Sequence, residues 1–479
     1  ADRLEAGSCT VGITTMNRPD FCAKLIKQIS DDPEVSALVD DVVVAEQGTQ
    51  KVVDDPEFPA AEAALDGRLR VIEQANLGGS GGFARAQYET LKADRSKYVL
   101  FLDDDIVMET ESILRTITFG DLCRRPSIVG GHMFSLFRKT QLHSFGEVIN
   151  RWRFWWMSPL TVENDWDFAA RNLRSTRWLH RRIDADFNPW FFCLIPTEVV
   201  KEIGLGLPLF IKWDDSEYGV RAQAAGFPTI SMPGAAVWHV PWTDKNDALD
   251  WQAYFHQRNR FVAALLHSPF PRGGRMVRES LNHTAVHLLS MHYSTVELRL
   301  KALEDVLAGP HRLHPDLVTK LPEVRALRSD FADAQTKSDP DAFPPVRRAK
   351  PRKRAFSHEL IGRGAQLTAA AKGAVRQFLP VRPMSREFPE AEIMAQDSFW
   401  WTMAAQDSAI YSMPDGTSAA FVKRDPELFK SLSARALQLH KQILQEWPQL
   451  SQQYKAALGE ITSPQTWATT FGVDHEADA

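Results

Sequence analysis

The stretch YVLFLDDDIV at residues 98–107 constrains the fold of this chain more than any other part of its sequence. It opens with five aromatic, β-branched or leucine residues, and an apolar run of this length predicts a buried strand in a parallel sheet. Three carboxylates follow, those of Asp103, Asp104 and Asp105, and they repel one another unless a cation joins them. The alternative is an acidic loop that caps a helix, because Asp is favoured just before a helix start.

Composition places limits on the class of protein. The chain has 479 residues, of which 44% are hydrophobic, so it can bury more than one core and we expect two or three domains. A formal net charge of −5 gives no general attraction to nucleic acid, and no nucleic-acid partner is expected. The four cysteines have no CxxC spacing, which indicates reduced thiols in a cytosolic setting. We find no signal peptide and no apolar run long enough to span a bilayer, and expect a soluble or peripherally attached protein.

The first hundred residues alternate between predicted strands and predicted helices. The strands are expected at Cys9–Thr15, 41–46, Leu69–Glu73 and 98–107. This order predicts an α/β fold with an open sheet and right-handed crossovers. Ligands of such sheets bind beyond the carboxyl ends of the strands. Polar residues follow each predicted strand, at 14–18, 46–47, 76–82 and 103–105, so we expect them to converge on one site.

The glycine-rich stretch NLGGSGG at residues 76–82 matches neither GxGxxG nor GxxxxGK[ST]. Glycines before a helix allow close approach of a ligand to the backbone, and a helix N-terminus favours an anion. The stretch is otherwise a flexible turn. Arg18 is open to two interpretations as well, as a residue that neutralises a phosphate or as a solvated surface arginine.

Together these features predict a nucleotide-sugar glycosyltransferase with a glycosyltransferase-A (GT-A, Rossmann-like) fold. A diphosphate leaving group needs a divalent cation, and hard carboxylate oxygens at a strand end supply its ligands. In this arrangement the first and third carboxylates, Asp103 and Asp105, bind Mn²⁺ or Mg²⁺. The middle one, Asp104, is expected to contact the sugar nucleotide.

The segment WDDSE at residues 213–217 resembles a signature of inverting glycosyltransferases and introduces a predicted helix. Inverting transfer is a single displacement, so one carboxylate must take the proton of the acceptor hydroxyl. Asp215 is the candidate base, and Asp214 is placed on the donor side. The alternative is that Asp214, Asp215 and Glu217 only cap the helix and complement its dipole.

A histidine lies in the segment VWHVPW at residues 237–242. His239 is expected to be a third metal ligand, because imidazole accepts divalent transition ions. It is otherwise a buried, hydrogen-bonded histidine. Farther on, His256 could contact a phosphate or the acceptor, or it could lie on the surface of a helix.

Several motifs occur in the order found in one known family. They are TTMNRPD, NLGGSGGFAR, FLDDDI, RWRFWWMSP, WDDSEYGVR and HVPW…YFHQRN. In these motifs, from about residue 10 to residue 260, the chain resembles the actinobacterial galactofuranosyltransferases that polymerise the cell-wall galactan. The remainder of the chain resembles them more loosely. The family carries a β-rich module ahead of the catalytic domain, which we expect to be absent or removed here.

The resemblance implies a donor, UDP-galactofuranose, and an acceptor, a galactan on a polyprenyl diphosphate carrier that grows by alternating β-(1→5) and β-(1→6) links. It implies the same metal ligands, Asp103, Asp105 and His239, and the same base, Asp215. Arg18 and Asn76 match donor-side positions of the family, and we assign Gln47, Asp104 and Asp214 to the donor side as well. The residues that match acceptor- or phosphate-side positions are Glu147, Trp156, Trp190, Trp242 and His256, and Phe191 is assigned to the acceptor side with them. Phe191 stands where the family pattern has a second tryptophan, so the indole N–H donor is lost there.

Residues 1–265 are predicted to form the GT-A catalytic domain, and residues 266–479 a mostly helical domain that mediates homo-oligomer contacts. In the second domain we expect a long helix at 279–307, a hairpin at 408–422 and a helix at 428–447 that ends at Pro448. The Pro- and charge-rich loop at 336–354 carries a dense basic run. That run is either a solvated charged surface or a contact with an anionic membrane, which would place the protein peripherally on the cytoplasmic face.

Two other functions stay open at this point. One is an inverting glycosyltransferase that uses another UDP-sugar, such as UDP-rhamnose or UDP-glucose, for a cell-wall or capsular polysaccharide. The other is a carbohydrate-binding scaffold without catalytic activity, in which the acidic clusters are remnants. The joint presence of DDD, WDD and His239 counts against the scaffold.

Overall fold

The computed structural model describes residues 6–159, 162–163, 165–181, 183–241, 247–347, 362–413 and 416–473. By its internal contacts the chain forms two compact units. The first contains Ala1–Pro241, Pro310–Val318 and Gln453–Ala479, and the second contains Trp242–Gly309 and Thr319–Gln452. Among the described residues, no helix combines the length and the apolar character needed to cross a membrane.

The first unit is built on a mixed β-sheet flanked by helices. Its strands are β1 (Cys9–Thr15), β2 (Val39–Glu46), β3 (Leu69–Glu73), β4 (Tyr98–Asp103), β5 (Val107–Met108), β6 (Ile128–Ser135), β7 (Gln141–Ser144), β8 (Val148–Asn150), β9 (Trp155–Met157), β10 (Trp166–Asp167), β11 (Asp184–Ala185), β12 (Phe192–Pro196) and β13 (Thr229–His239). Its helices are α1 (Pro19–Asp31), α2 (Pro33–Ser36), α3 (Phe58–Leu65), α4 (Gly78–Ala93), α5 (Glu111–Leu122), α6 (Thr197–Ile203) and α7 (Asp214–Ala224).

The order of neighbouring strands is β10-β7-β6-β12-β4-β1-β2-β3, and β8 pairs with β9 separately. Strands β4, β1, β2 and β3 run parallel, whereas β12 lies antiparallel between β4 and β6. Strand β13 runs parallel to β6. The open α/β sheet predicted from the sequence is therefore confirmed, with antiparallel strands added on one side.

The strand register brings the polar strand ends to one edge of this sheet. Thr14 lies opposite Asp103, and Thr15 lies opposite Glu46. Strand β4 ends at Asp103, and residues 104–106 form a turn before β5. The single strand predicted over 98–107 is therefore wrong beyond Asp103, because the adjacent carboxylates favour a turn over an extended ladder.

The glycines of β1 and α4 allow this helix to approach the sheet closely. A Cβ atom on Gly12 would lie 2.4 Å from the Cβ of Ala86, and one on Gly82 would lie 2.2 Å from Oγ1 of Thr14. Contacts this short exclude any larger side chain without a shift of the backbone. Gly82, the last glycine of the glycine-rich stretch, is therefore a packing position rather than part of a flexible turn.

The second unit is mostly helical. Its elements are α8 (Gln252–His267), α9 (Met276–Leu289), α10 (Tyr293–Ala308), β14 (Thr336–Lys337), α12 (Arg363–Gln377), α13 (Pro383–Glu387), β15 (Ala391–Ile393), α14 (Trp400–Met403), β16 (Ser408–Ser412) and β17 (Ala419–Lys423). Helices α11 (Leu313–Ser329) and α15 (Pro426–Ile461) contribute residues to both units, and α16 (Pro464–Phe471) belongs to the first.

Two helix predictions are corrected here. The helix expected at 279–307 is broken between α9 and α10, where Met291 has a φ of +63° that an α-helix cannot contain. The helix expected to end at Pro448 continues to Ile461. Trp447, Leu450 and Tyr454 on either side of the proline are each 2% exposed, so tertiary packing outweighs the loss of one backbone hydrogen bond. The predicted hairpin is confirmed as the antiparallel pair β16–β17.

Helix α16 packs against other elements of the first unit. The indole Nε1 of Trp467, which is fully buried, donates to the carbonyl oxygen of Gly206 over 3.0 Å. The guanidinium of Arg85 lies 5.0 Å from the centre of the Phe471 ring. The internal contacts thus divide the chain after Pro241 and assign residues 453–473 to the first unit. The boundary at 265/266 remains a prediction about independently folding domains.

Candidate active site

Two carboxylates and an imidazole meet at the carboxyl edge of the sheet. Nε2 of His239, at the end of β13, lies 2.9 Å from Oδ1 of Asp105 and 3.7 Å from Oδ2 of Asp103. One ligand atom from each of the three residues lies within 4.8 Å of the other two. The structure therefore brings together the three residues that the sequence nominated as metal ligands.

The chemistry of this group suits a divalent ion. Nδ1 of His239 lies 2.6 Å from the carbonyl oxygen of Val240, and when it donates there, Nε2 is the nitrogen turned toward the carboxylates. Nε2 donates a proton to them in the absence of a metal and can offer its lone pair to a bound ion. Burial alone would lower the pKa of His239, but hydrogen bonds to Asp103 and Asp105 outweigh it and raise the pKa to about 10. The two carboxylates thus favour a positive charge between them. Two carboxylate oxygens with one imidazole nitrogen form a ligand set that fits Mn²⁺ well.

Asp104 points away from this group. Its Oδ2 accepts from the backbone N–H of Met16 at 3.4 Å, at the end of β1, and the residue is 7% exposed. Burial, followed by the charge of Asp103, raises the pKa of Asp104 to about 7. Arg18, at the start of α1, donates from Nη1 to Oδ2 of Asp105 over 2.6 Å, and its side chain remains 48% exposed.

Two donor-side candidates hold the glycine-rich loop. Gln47 is 8% exposed, accepts from the N–H of Leu77 at 2.7 Å and donates to the carbonyl of Gly78 at 3.1 Å. Oδ1 of Asn76 accepts from the N–H of Gly78 at 3.0 Å. These observed contacts shape the loop, and a direct contact of either side chain with a donor stays a prediction.

Asp214 and Asp215 begin helix α7, immediately after residues with left-handed backbone. Oδ1 of Asp215 accepts from the N–H of Ser216 at 2.6 Å. Burial raises the pKa of Asp215 to about 7, and the charge of Glu147 adds to that rise. Burial and then the charge of Asp215 raise the pKa of Asp214 to about 7 as well. A carboxyl group with a pKa near neutrality is suited to accept a proton in catalysis.

The end of β4 and the base candidate each interact with residues in or next to strand β12. The backbone N–H of Asp103 donates to the carbonyl of Phe191 over 3.2 Å. Two residues beyond Phe191, the thiol of Cys193 is buried, and the charge of Asp215 adds to the effect of burial in raising its pKa. Strand β12 therefore connects the end of β4 with the start of α7.

Glu147 precedes strand β8 and faces the base candidate. Its backbone N–H donates to the carbonyl of Phe187 over 3.0 Å, and its Oε1 accepts from Oγ of Ser144 at 3.3 Å. Burial raises the pKa of Glu147 to about 7. The charge of Glu147 raises the pKa of Asp215, so the two carboxyl groups interact, and a shared contact with the acceptor stays a prediction.

The aromatic hairpin β8–β9 covers the tryptophan of the WDD segment. The ring of Trp156, which is half-buried, lies 4.5 Å from the ring of Trp213, and Phe154 stacks on Trp213 at 6.0 Å. Trp213 itself is 1% exposed. Trp155, whose ring lies 6.4 Å from Trp213, is partly exposed as well, so Trp156 is one of two rings of this cluster that a bound sugar could reach.

Trp190 and Phe191 are buried, at 5% and 6% exposure. The Trp190 ring makes edge contacts with Phe83 at 5.4 Å, Phe101 at 5.0 Å and Tyr218 at 5.7 Å. These are contacts of a core residue behind the site. Their acceptor roles remain predictions.

Two further acceptor candidates are placed elsewhere. Trp242 lies outside the described residues. His256 lies in the middle of α8, which belongs to the second unit. The roles predicted for both stay predictions.

Sequence reasoning missed two elements of the site. Lys212 lowers the pKa of both Asp214 and Asp215, and the one available signal was its position as the cation just before WDD. The backbone N–H of Met16 supports Asp104, and no residue type could indicate this, because every residue except proline carries that donor.

Comparison with known proteins agrees with this geometry. A family model described as Glycosyltransferase like family 2 matches residues 6–264, and Galactofuranosyltransferase-2, domain 3 matches residues 276–473. Galactofuranosyltransferase GlfT2 of Mycobacterium tuberculosis is 39% identical over 468 residues, which cover 96% of this chain and 73% of that protein. GlfT2 of Mycolicibacterium smegmatis is 39% identical over 466 residues, covering 96% and 72%.

Similarity to solved structures is more remote. A crystal structure of GalNAc-T7 with UDP, GalNAc and Mn²⁺ is 12% identical, with a TM-score of 0.42 over 58% of this chain and 51% of the other. The two GlfT2 proteins match nearly the whole chain at a level of identity that establishes common family membership. The chain is a glycosyltransferase and belongs to the GlfT2 family of galactofuranosyltransferases.

Proposed function

We propose that this enzyme transfers galactofuranose from UDP-galactofuranose, with inversion, to the 5-OH and 6-OH of a growing galactan on a polyprenyl diphosphate carrier. The proposal rests on two observations: three potential metal ligands, from Asp103, Asp105 and His239, lie within 4.8 Å of one another, and burial raises the pKa of Asp215 to about 7. The three ligands can hold a charged leaving group and Asp215 can activate an acceptor. Membership of the galactofuranosyltransferase family identifies galactofuranose as the proposed sugar.

Residues on the donor side neutralise and orient the UDP group. Asp103, Asp105 and His239 would hold Mn²⁺ or Mg²⁺, which when bound supplies positive charge against the departing diphosphate. The half-exposed guanidinium of Arg18 adds a second positive charge at the same place. Asp104, Asp214, Gln47 and Asn76 are proposed to set the position of the nucleotide and its sugar.

On the acceptor side, Asp215 takes the proton of the attacking hydroxyl as the new glycosidic bond forms and the bond to UDP breaks. Trp156 supplies an apolar ring face for a sugar, and Glu147 supplies a carboxyl group beside the base. Trp190, Phe191, Trp242 and His256 complete the proposed acceptor set. With a single WDD segment, both the 5-OH and the 6-OH must reach the same base in turn.

The donor is tested by a direct comparison of sugars. The purified enzyme is given a short galactofuranose acceptor with UDP-galactofuranose, UDP-galactopyranose, UDP-glucose or UDP-rhamnose, and products are analysed by mass spectrometry and NMR. Elongation from UDP-galactofuranose alone, with both link types, is the expected result. Faster transfer from another UDP-sugar contradicts the proposed donor.

We also propose an anionic membrane surface at the cytoplasmic face as a partner. The segment 362–386, which includes α12, contains no Asp or Glu and carries Arg363, Lys372 and Arg386. Five of its six large apolar side chains are unusually exposed, Val381 being buried: Leu367 73%, Val375 62%, Phe378 65%, Leu379 53% and Met384 53%. Basic and apolar groups exposed together fit an anionic lipid surface, where each basic residue contributes about 1 kcal/mol. Part of the basic run predicted at 336–354, residues 348–354, lies outside the described residues.

Vesicle sedimentation tests this surface without reference to activity. We expect binding to phosphatidylcholine vesicles that contain phosphatidylglycerol and weak binding to phosphatidylcholine alone. Leu367→Ser with Phe378→Ser should weaken it, and so should Lys372→Gln with Arg386→Gln. Leu437→Ser is the control, since Leu437 is 59% exposed on α15. Equal sedimentation of all variants contradicts the role of this segment.

Light scattering of the purified protein without vesicles tests the proposed homo-oligomer.

A further inference from the structure

The turn that leads into the WDD segment has an unusual backbone. Phe210, Lys212 and Trp213 have φ values of +70°, +65° and +74°, although none of them is glycine. Left-handed conformations of bulky residues are disfavoured, and they persist where the surrounding structure holds them in place. Asp214 and Asp215 follow directly, so whatever holds this turn also sets the position of the proposed base.

One support of the turn comes from the glycine-rich loop. A Cβ atom on Gly78 would lie 2.1 Å from the carbonyl oxygen of Phe210, and Gly78 itself has a φ of +70°. The same oxygen accepts from the N–H of Ser80 at 3.1 Å, in the first turn of α4. Gln47 holds the loop from behind through Leu77 and Gly78. The backbone of the turn thus packs directly against Gly78.

A second support comes from the aromatic hairpin. Trp213 is 1% exposed, and the rings of Phe154 and Trp156 lie 6.0 Å and 4.5 Å from it. The turn is therefore fixed at Phe210 by a backbone contact and at Trp213 by ring packing. Lys212 lies between these two fixed points, and its charge lowers the pKa of Asp214 and Asp215.

We propose that Gly78 is a positioning residue for the transfer step, which holds the left-handed turn of Phe210, and with it Asp215, at the place where the acceptor hydroxyl must be deprotonated. This role rests on the proposed function of Asp215 as the base. It links the loop on the donor side to the base on the acceptor side through one carbonyl oxygen. Any side chain at position 78 displaces that oxygen and everything that follows it.

The neighbouring glycine provides a matched control. A Cβ atom on Gly79 would have no heavy atom within 4 Å, and its φ is not positive, so Gly79→Ala adds the same methyl group without a clash. We expect Gly78→Ala to lower kcat at least tenfold while the KM for the donor changes less than threefold. Gly79→Ala should leave both within twofold. Equal kinetics of the two variants overturns the proposal.

The pH profile gives a readout that simple loss of folded protein does not move. The charged groups around the Asp215 carboxyl are Glu147, which raises its pKa, Lys212, which lowers it, and Asp214, to which it is coupled. Displacement of the turn takes Lys212 away from the carboxyls, so the acid limb of kcat for Gly78→Ala should move to higher pH. An unmoved limb with a lower kcat counts against positioning.

Two further variants make every outcome informative. If Gly78→Ala does not fold, Gln47→Ala decides, because it loosens the same loop without a clash. Gln47 also belongs to the proposed donor set, so its donor KM should rise in either case and the acid limb of kcat is the readout: a shift of the limb to higher pH supports positioning, and an unmoved limb overturns it. Asp215→Asn separates this proposal from the proposed function. Turnover by Asp215→Asn contradicts the base itself, whereas normal Gly78→Ala beside inactive Asp215→Asn contradicts only the role of Gly78.

Discussion

Nε2 of His239 lies 2.9 Å from Oδ1 of Asp105, while Nδ1 of the same ring is occupied at the carbonyl of Val240. The ring is therefore oriented by its own backbone neighbour and presents one nitrogen to the carboxylates. Second partners of this kind fix a metal-binding histidine in one tautomer. This orientation distinguishes His239 from a histidine that is buried only as part of a core.

From this geometry we expect His239→Ala to weaken Mn²⁺ binding at least about tenfold, because one of three ligand groups is lost. Mn²⁺ titration followed by electron paramagnetic resonance, with and without UDP, measures the effect. Asp104→Asn is the control, since Asp104 faces Met16 and should leave the affinity within about threefold. Unchanged Mn²⁺ binding by His239→Ala would show that His239 is not a metal ligand.

The pKa of Asp215 predicts the pH dependence of transfer. The base works when deprotonated, and because its pKa is raised to about 7, kcat should rise with pH through neutrality and fall below it. Asp215→Asn should lower kcat by about 10²- to 10⁴-fold with UDP affinity retained. A pH–rate profile and a UDP binding isotherm check both expectations.

Glu147→Gln tests whether the charge of Glu147 contributes to the acid limb of the pH profile of kcat. The charge of Glu147 raises the pKa of Asp215, so its removal should move the acid limb to lower pH. The acceptor KM is expected to rise in the same variant, because the carboxyl group beside the base is lost. A limb that stays in place would assign the pH dependence to another group.

Trp156 and Trp190 should respond differently to truncation. Trp190 is 5% exposed among three other rings, so Trp190→Ala should lower the free energy of unfolding by about 3–5 kcal/mol. Trp156 is half-buried at the hairpin, and Trp156→Ala should mainly raise the acceptor KM. Chemical denaturation and steady-state kinetics separate the two effects. A larger KM effect at Trp190 would favour its predicted acceptor role.

We expect the buried His292 to make the stability of the second unit sensitive to acid. The residue is 8% exposed, and neither ring nitrogen has a hydrogen-bond partner among the described residues. Burial lowers its pKa from 6.5 to about 4. Because the folded protein then resists a proton that the unfolded chain accepts, stability is fully present above about pH 6.5 and falls as pH decreases toward 4, by an amount on the order of 3 kcal/mol.

Denaturant unfolding at pH 7.5 and pH 5 measures this loss. His292→Phe should reduce the difference between the two pH values, since Phe keeps a ring beside His287 and Tyr411 without a titrating group. The exposed His311, changed to Gln, should leave the difference as it is. An identical difference in His292→Phe would assign the acid sensitivity to other groups.

The sequence predicted the carboxyl edge of the sheet well, because that edge depends on local signals. Apolar runs and the polar residues that end them set β1, β3 and β4, and parallel strands then place Thr14 beside Asp103. It also nominated the Asp103–Asp105–His239 group, because the two aspartates belong to an acidic run that follows an apolar stretch and the histidine lies in the segment VWHVPW.

What it missed depends on contacts between distant residues. The left-handed turn at Phe210 requires Gly78, which is far away in sequence, and no pattern near residue 210 indicates that conformation. The burial of Trp190 and the continuation of α15 through Pro448 depend in the same way on tertiary packing. Single-sequence patterns report the period of a segment, not the partner that surrounds it.

The packing of α16 against the first unit has a consequence for synthesis of the protein. Trp467, bonded to Gly206, and Phe471, beneath Arg85, are translated long after the strands they support. At a translation rate of about 5–20 residues per second, the sheet and α4 must wait several seconds or more for these side chains. During that interval the nascent catalytic unit exposes the surface that α16 later covers, so chaperone binding there is expected to end only when α16 has left the ribosome.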